Sequence, residues 1–233
     1  MNQSVPVSDP GFPARGVPDY GFARMRMVDT QIRPVQVSDP RILEAMRHLP
    51  RERFVPADRA DFAYMDRDVP LGGGRVLTEP RVIARLVQSL TPHRGDRALL
   101  VGAGTGYAAC LLDALGVSVV ALEQNPDLAA TGRALLAEMA PMVDYREGRL
   151  LDGFAAGGPY ELILIDGGTQ AIPQAYAAQL KPGGRVAGIL SLPDRVPTAF
   201  LAEASPAGLR PRAQFDVATP PLPELSVAPS FRF

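Results

Sequence analysis

The chain has few of the side chains that disulfides and metal sites require. Its 233 residues include one cysteine, Cys110, and only two histidines, His48 and His93, which lie far apart in sequence. A lone cysteine excludes an intrachain disulfide and fits a reducing compartment. Because zinc sites are built mainly from thiolate and imidazole ligands, we predict that the protein holds no metal.

The sequence also lacks long apolar runs and an excess of charge of one sign. No apolar run approaches the roughly 20 residues of a membrane-spanning helix, and the opening MNQSVPVSDP lacks the apolar segment of a signal peptide. The 24 basic and 25 acidic residues give a net charge of −1, whereas nucleic-acid-binding domains usually carry a basic excess or stripe. These absences predict a soluble cytoplasmic protein with neither a membrane nor a nucleic acid as partner.

What the chain does have, from Asp96 onward, is a regular alternation of strand-like and helix-like segments. The apolar runs RALLVGA, SVVALE, YELILID and RVAGIL alternate with the helical stretches AACLLDAL, PDLAATGRALLAEMA and IPQAYAAQL. Such alternation is typical of parallel strands joined by right-handed crossovers. We predict an α/β fold with a Rossmann-like, doubly wound, mostly parallel sheet and helices on both faces.

The segments before and after this pattern have a different composition. Residues 1–20 are rich in Pro, Gly, Ser and Asp and are predicted to be a mobile tail. Three short helices, in FARMRMVDTQI, SDPRILEAMRHL and ADRADFAYM, are expected to cover the sheet. One structural domain is therefore predicted, with a tail at 1–20, a helical cover and loop at 21–80, a core at 81–195, and a C-terminal extension at 196–233 that completes the sheet.

A glycine-rich turn carries the first functional signal. LLVGAGTGY places Gly102, Gly104 and Gly106 between a strand and a helix. A dinucleotide fingerprint would need its third glycine at Tyr107, so a pyrophosphate ligand is disfavoured, although the backbone can still approach a ligand closely. Glu123 ends the next strand, where a carboxylate can accept from two ribose hydroxyls. A nucleoside without pyrophosphate indicates S-adenosylmethionine; the alternative is that the glycines only turn the chain and Glu123 is solvated.

The chain resembles the protein-L-isoaspartate O-methyltransferases, a family of class I methyltransferases. The glycine turn with LILIDGG and QLKPGGRV is typical of class I enzymes at large. The turn from Pro50 to Pro56, the Ala63-Tyr64 element and the glycine loop before a helix resemble this family in particular. The resemblance, which covers about Met25 to Arg185, implies an S-adenosylmethionine-dependent carboxyl O-methyltransferase for L-isoaspartyl residues in damaged proteins or peptides. It also implies a protein or peptide partner and a monomer or weak homo-oligomer.

The resemblance places an active-site loop at GGGRVLTEP, residues 72–80. In the family this loop lies over the methyl donor and receives the isoaspartyl side chain, and Thr78 takes the place of its serine. A carboxylate acceptor is already ionised at neutral pH, so the hydroxyl of Thr78 needs only to orient it. Arg75 follows three glycines and is expected to hold the acceptor carboxylate; the alternative is a solvated loop arginine.

Several positions depart from the family's pattern. Val76 lacks a hydroxyl, and Glu79 brings a charge that would repel a carboxylate if it faced inward. Arg149 stands where the family has an acid near the adenine. Asp166 stands where the family usually has threonine, near the expected methionine end of the cofactor. These departures leave two alternatives open: the same fold acting on another carboxylate or small-molecule acceptor, and a catalytically silent cofactor-binding relative.

The predicted site combines two catalytic residues with a larger cofactor-binding set. The catalytic residues are Thr78 and Arg75. The predicted cofactor-binding residues are Leu77, Thr78, Gly102, Ala103, Gly104, Thr105, Gly106, Tyr107, Glu123, Gln124, Gly148, Arg149, Leu150 and Asp166.

Overall fold

The computed structural model describes residues 18–205 and 208–226. Helix α1 (Tyr20–Met27) begins after Asp19, whose side chain accepts a hydrogen bond from the backbone N–H of Phe22. It continues through a π-helical turn (Val28–Ile32) into a 3₁₀ turn (Arg33–Val35). The predicted tail at 1–20 lies mostly outside the described residues, and the helix begins at Tyr20, the last residue of that predicted tail.

The second and third predicted helices are both present. Helix α2 (Pro40–His48) has Asp39 as its cap and Pro40 in its first turn, as predicted. Its apolar stripe is buried. The third segment is a 3₁₀ helix (Ala57–Phe62), and a shorter 3₁₀ helix (Arg51–Phe54) precedes it. The predicted helical cover is therefore correct in position, although parts of it are 3₁₀ or π-helical rather than α-helical.

The predicted loop is instead mostly a β-hairpin. Strands β1 (Val69–Gly72) and β2 (Arg75–Leu77) pair antiparallel. The two residues between them, Gly73 and Gly74, both have positive φ, at 57° and 76°, as in type I′ hairpin turns. The predicted active-site loop therefore includes a tight turn, in which two of its three glycines lie. That turn sets the direction of the β2 side chains.

The central sheet has the strand order β5-β4-β3-β6-β7-β8-β10, with β9 paired to β8. The first five strands in this order are parallel, as predicted, while β8 runs antiparallel to β7 and to β10. The strands are β3 (Arg97–Val101), β4 (Ser118–Glu123), β5 (Asp144–Glu147), β6 (Tyr160–Thr169), β7 (Leu180–Leu190), β8 (Thr198–Ser205), β9 (Gly208–Leu209) and β10 (Arg212–Asp216). The chain leaves β3 toward β4 and returns on its other side at β6, and ligands of such sheets bind at this switch point.

Both faces of the sheet are covered, which confirms the predicted fold class. The remaining helices are α3 (Pro80–Ser89), α4 (Tyr107–Ala114), α5 (Pro126–Met139) and α6 (Gln174–Gln179). Successive residues of β3 alternate between two hydrophobic clusters: Leu100 packs with α3 and α4, whereas Leu99 packs with Tyr176 of α6. Within the described ranges, no helix is long and apolar enough to cross a membrane.

Candidate active site

The glycine turn lies at the carboxyl end of β3 and has a conformation that favours glycine. Gly102, Gly104 and Gly106 have φ of 74°, 56° and 98°, a region that other residues rarely adopt. Gly106 caps α4. The hydroxyl of Thr105 donates to the carbonyl of Phe54 at 2.7 Å. The turn is therefore held in place by the N-terminal cover as well as by its own strand.

Glu123 is the acid at the end of β4, and its carboxylate is fully buried. Backbone N–H groups donate to it from Gly104, Gln124 and Asn125, at 2.7, 2.8 and 2.8 Å. Both terminal nitrogens of Arg75 also donate to it, at 2.7 and 3.0 Å. The alternative of a solvated acid is wrong, since five donors use the roughly four acceptor positions of a carboxylate.

Arg75 points into the protein beside the glycine turn. Its side chain is 2% exposed, and one terminal nitrogen also donates to the carbonyl of Gly102 at 2.9 Å. The other lies 3.5 Å from a carboxylate oxygen of Glu224. The alternative of a solvated loop arginine is wrong. Because both terminal nitrogens are engaged at Glu123, these contacts do not favour the predicted role of Arg75 in holding an acceptor.

Thr78 and Asp166 are brought together from the end of the hairpin and from β6. The hydroxyl of Thr78, which is fully buried, donates to the carboxylate of Asp166 at 2.6 Å. Burial raises the pKa of Asp166 to about 6, against the opposing effects of the Thr78 hydrogen bond and of the Arg75 and Arg51 charges. The prediction paired neither residue with the other.

Arg51 contacts the backbone of Thr78 and lies close to this pair. It is fully buried and donates to the carbonyls of Thr78 and of Ala63, the latter at 2.7 Å. Its guanidinium lies 4.7 Å from the centre of the Tyr107 ring. Tyr107 in turn packs edge-on against Phe54, with ring centres 5.4 Å apart. Tyr107 thus belongs to the core, and Arg51 is a contact residue of the site that sequence reasoning left out.

The predicted cofactor-binding residues Gly148, Arg149 and Leu150 follow β5 and lie beside Glu123 and Gln124. The backbone N–H of Gly148 donates to the carbonyl of Glu123 at 3.0 Å. The N–H of Leu150 donates to the side chain of Gln124 at 3.0 Å. The Arg149 side chain turns away: it is 69% exposed and lies 3.5 Å from Asp152 at the surface. Arg149 can therefore contribute only its backbone to this group.

The remaining predicted positions are buried around these groups. Leu77 and Ala103 belong to the hydrophobic core. Glu79 is nearly buried and forms an ion pair with Arg81, while its backbone N–H donates to Asp68 at 2.7 Å. The charge of Glu79 is therefore matched by its own neighbour, so the expected repulsion of an acceptor carboxylate is reduced.

The C-terminal segment after β10 covers the crevice at the carboxyl end of β3, where the glycine turn lies. The sequence did not reveal this cover. The N–H of Leu222 donates to the carbonyl of Gly168 at 2.7 Å, and the N–H of Gly168 donates to Pro220 at 3.1 Å. A Cβ atom on Gly102 would lie 3.0 Å from Leu222, and one on Gly167 would lie 2.7 Å from it. Leu222 therefore fills the space above the glycine turn, beside Arg75.

The cysteine and the histidines lie outside this site. Cys110 is buried, and burial raises the pKa of its thiol to about 12. The His48 and His93 side chains are 73% and 74% exposed. Among the residues that the structure describes, no group of three or more His, Cys, Asp or Glu side chains could hold a metal ion.

Comparison with known sequences identifies relatives over most of the chain. The family described as protein-L-isoaspartate(D-aspartate) O-methyltransferase matches residues 23–192. A protein-L-isoaspartate O-methyltransferase of Methylorubrum extorquens (strain PA1) is 42% identical over 170 residues, which span 73% of this chain and 75% of that protein.

Comparison with solved structures bears out the fold. A protein-L-isoaspartate O-methyltransferase aligns with a TM-score of 0.76 and 23% identity over 87% of this chain and 67% of that one. A β-aspartate methyltransferase from Plasmodium falciparum, solved with S-adenosyl-L-homocysteine, aligns with a TM-score of 0.70 and 16% identity over 86% of this chain and 98% of that one.

Proposed function

The chain belongs to the protein-L-isoaspartate(D-aspartate) O-methyltransferase family, and on that premise we propose that it methylates the free carboxylate of L-isoaspartyl residues in damaged proteins or peptides. The observation that carries the proposal is the buried hydroxyl of Thr78. This hydroxyl stands at the family's serine position and lies 2.6 Å from Asp166, next to the crevice above the glycine turn.

S-adenosylmethionine is the cofactor, and when bound it supplies the electrophilic methyl group. The residues that would hold it are compatible with a nucleoside. The glycine turn allows close backbone approach, the Glu123 carboxylate would accept from the ribose hydroxyls, and Gln124 with Leu150 would border the adenine. Asp166 would lie near the methionine end.

If the cofactor binds at the glycine turn and Glu123 as proposed, two groups of the chain that occupy this space have to move. Arg75 uses both oxygens of Glu123, and Leu222 fills the space above Gly102. We propose that Arg75 leaves Glu123 and turns to Glu224. One oxygen of Glu224 is already 3.5 Å from the guanidinium, and the other is buried without a hydrogen-bond partner.

The chemical demands on the protein are modest, because the acceptor carboxylate is already ionised at neutral pH. Alignment of the nucleophile and exclusion of water are the main contributions that a protein can make to such a transfer. Thr78 is the orienting donor in this proposal. The Arg51 guanidinium fixes the backbone of Thr78 through its carbonyl.

The test is transfer of labelled methyl from S-adenosylmethionine to a short isoaspartyl peptide, with the matching aspartyl peptide as control. We expect selective, base-labile labelling. Thr78→Val removes the hydroxyl at nearly constant volume and should reduce kcat/KM by about tenfold or more, since a hydrogen bond to a charged acceptor contributes about 1.5 kcal/mol or more. The matched control is Thr198→Val in β8, away from the site. Cofactor binding without labelling of the isoaspartyl peptide would contradict the proposed acceptor.

A different acceptor is the second candidate, and Asp166 is the observation that favours it. An ionised carboxylate at this position repels a second carboxylate and suits an acceptor that carries its own proton. Labelling of a small hydroxyl or amine compound, with none of the isoaspartyl peptide, would establish this second candidate.

We also propose a cytoplasmic enzyme that is a monomer or weak homo-oligomer and has no nucleic-acid partner. The lone buried Cys110 and the balanced charge of the chain support these assignments. Size-exclusion chromatography with light scattering tests the oligomeric state, since a stable tetramer or larger assembly would contradict it.

A further inference from the structure

The hydrogen bond between Thr78 and Asp166 limits what Thr78 can do for an acceptor. A hydroxyl carries one proton and so makes one donor interaction at a time. In the structure that proton points at Asp166, at 2.6 Å. While Asp166 is ionised, Thr78 therefore has no proton left for an acceptor carboxylate. The Asp166 carboxylate and the acceptor carboxylate would both lie against the Thr78 hydroxyl and repel each other.

The charges around Asp166 oppose a further anion. The carboxyl groups near the crevice belong to Asp68, Glu123, Asp166 and Glu224. Two guanidiniums, those of Arg51 and Arg75, face them. Arg75 is engaged by Glu123, and Arg51 donates to two backbone carbonyls. An acceptor carboxylate adds one more negative charge to these four carboxyl groups, which the two guanidiniums and the sulfonium of the bound cofactor do not outnumber.

Uptake of one proton removes both difficulties. A protonated carboxyl can donate to the Thr78 oxygen across the same 2.6 Å separation, which reverses the direction of that hydrogen bond. Thr78 is then free to donate its own proton to the acceptor. Paired carboxyl groups commonly share a proton in this way, because two like charges in one site cannot both ionise.

We propose that Asp166 is a specificity-determining residue of the methyl transfer, and that it must be protonated for Thr78 to orient a carboxylate acceptor. This inference rests on the proposed isoaspartyl activity. The proton comes from solvent and is not consumed: the methyl–sulfur bond breaks, a methyl–oxygen bond forms at the ionised acceptor, and the proton stays on Asp166 throughout.

The consequence is an acid-favoured pH profile. The pKa of Asp166 is about 6 in the free protein. Burial and the negative charge of Asp68 raise it, whereas the Thr78 hydrogen bond and the charges of Arg75 and Arg51 lower it. Above the pKa of Asp166 in the cofactor-loaded enzyme, kcat/KM for an isoaspartyl peptide should fall with the protonated fraction of that enzyme, until it levels off near the value of the Thr78→Val enzyme. An acceptor that must lose a proton would give the opposite slope, with Asp166 as the base.

The experiment measures kcat/KM of the full chain on an isoaspartyl peptide from about pH 5.5 to about pH 9, a range that spans the expected transition. Initial rates are taken from S-adenosyl-L-homocysteine formation, because the methyl ester is labile in base. Two variants replace the carboxyl group: Asp166→Asn is nearly isosteric, and Asp166→Thr introduces a neutral hydroxyl. The matched control is Asp113→Asn, in α4 and outside the site.

We expect the parent and the Asp113→Asn enzyme to lose activity together as the pH rises, and both Asp166 variants to hold a constant rate within about twofold. A parent profile as flat as that of the Asp166 variants overturns the inference and leaves the proposed function standing. A decline that persists in both variants, or a parent rate that rises with pH, overturns the inference in the same way. No transfer by any variant at any pH overturns the proposed function itself.

Discussion

Replacement of Arg75 by glutamine should strengthen the binding of S-adenosylmethionine, although the sequence suggested that Arg75 binds a ligand of the site. In the structure Arg75 competes for the acid that would receive the ribose, with two charge-assisted hydrogen bonds to Glu123 at 2.7 and 3.0 Å. Glutamine is too short and uncharged to maintain that bidentate pair. The variant therefore leaves the Glu123 carboxylate with its three backbone donors and without the two from Arg75, so that more of it is free for the ribose.

The magnitude follows from the bonds that Arg75 gives up. Two charge-assisted hydrogen bonds contribute about 1.5 to 3 kcal/mol each. When Arg75 turns away, a new ion pair with Glu224 would recover part of this free energy. If about half is recovered, the net cost in the parent is about 1.5 to 3 kcal/mol, which corresponds to about tenfold to hundredfold in Kd. We expect the Arg75→Gln protein to bind S-adenosylmethionine more tightly by that factor.

Isothermal titration calorimetry with S-adenosylmethionine measures this directly, and circular dichroism verifies that each variant folds. Arg133→Gln is the matched control, because Arg133 pairs with Glu147 at the surface with its side chain 52% exposed. Arg75→Lys should fall between parent and glutamine, since an ammonium keeps the charge and loses the bidentate geometry. A Kd for Arg75→Gln equal to or weaker than that of the parent would refute the reasoning and identify Arg75 as a group that supports the bound cofactor.

Two further outcomes follow from the buried polar groups. Glu123→Ala should weaken S-adenosylmethionine binding by about tenfold or more, because hydrogen bonds to a charged group contribute about 1.5 kcal/mol or more; an unchanged Kd in calorimetry would place the ribose elsewhere. Arg51→Met should lower the free energy of unfolding by about 2 kcal/mol or more, since the buried carbonyls of Ala63 and Thr78 lose their donor. Urea denaturation checks this against Arg53→Met, whose partner Glu138 is exposed, and equal stability of the two variants would contradict it.

The parts of the molecule that could be predicted are those encoded by local periodicity. The alternation of apolar runs with helical stretches fixes a parallel sheet, and the position of Glu123 at a strand end follows from the same pattern. The three glycines of the turn need positive φ, which a short sequence window reveals. These features depend on residues close together in the chain, so one sequence is sufficient to find them.

The contacts that were missed join residues far apart in sequence. Arg75 and Glu123 are separated by 48 positions, and Arg75 and Glu224 by 149. No local pattern indicates that an arginine after three glycines faces a buried acid, or that a leucine between prolines covers the glycine turn. The outward direction of Arg149 was missed for a related reason: sequence position places a backbone near a ligand, but does not specify where a long side chain goes.

The two-residue turn of the β1–β2 hairpin also bears on how this site tolerates insertions and deletions. Side chains alternate between the faces of a strand, so one extra residue in the turn would exchange those faces along β2. Arg75 and Leu77, which share the buried face, would then point to solvent, and Val76 would take their place inside. A single inserted codon between Gly73 and Gly74 would thus remove the guanidinium from Glu123 without altering any residue that touches it, which makes turn length as much a determinant of this crevice as amino-acid identity.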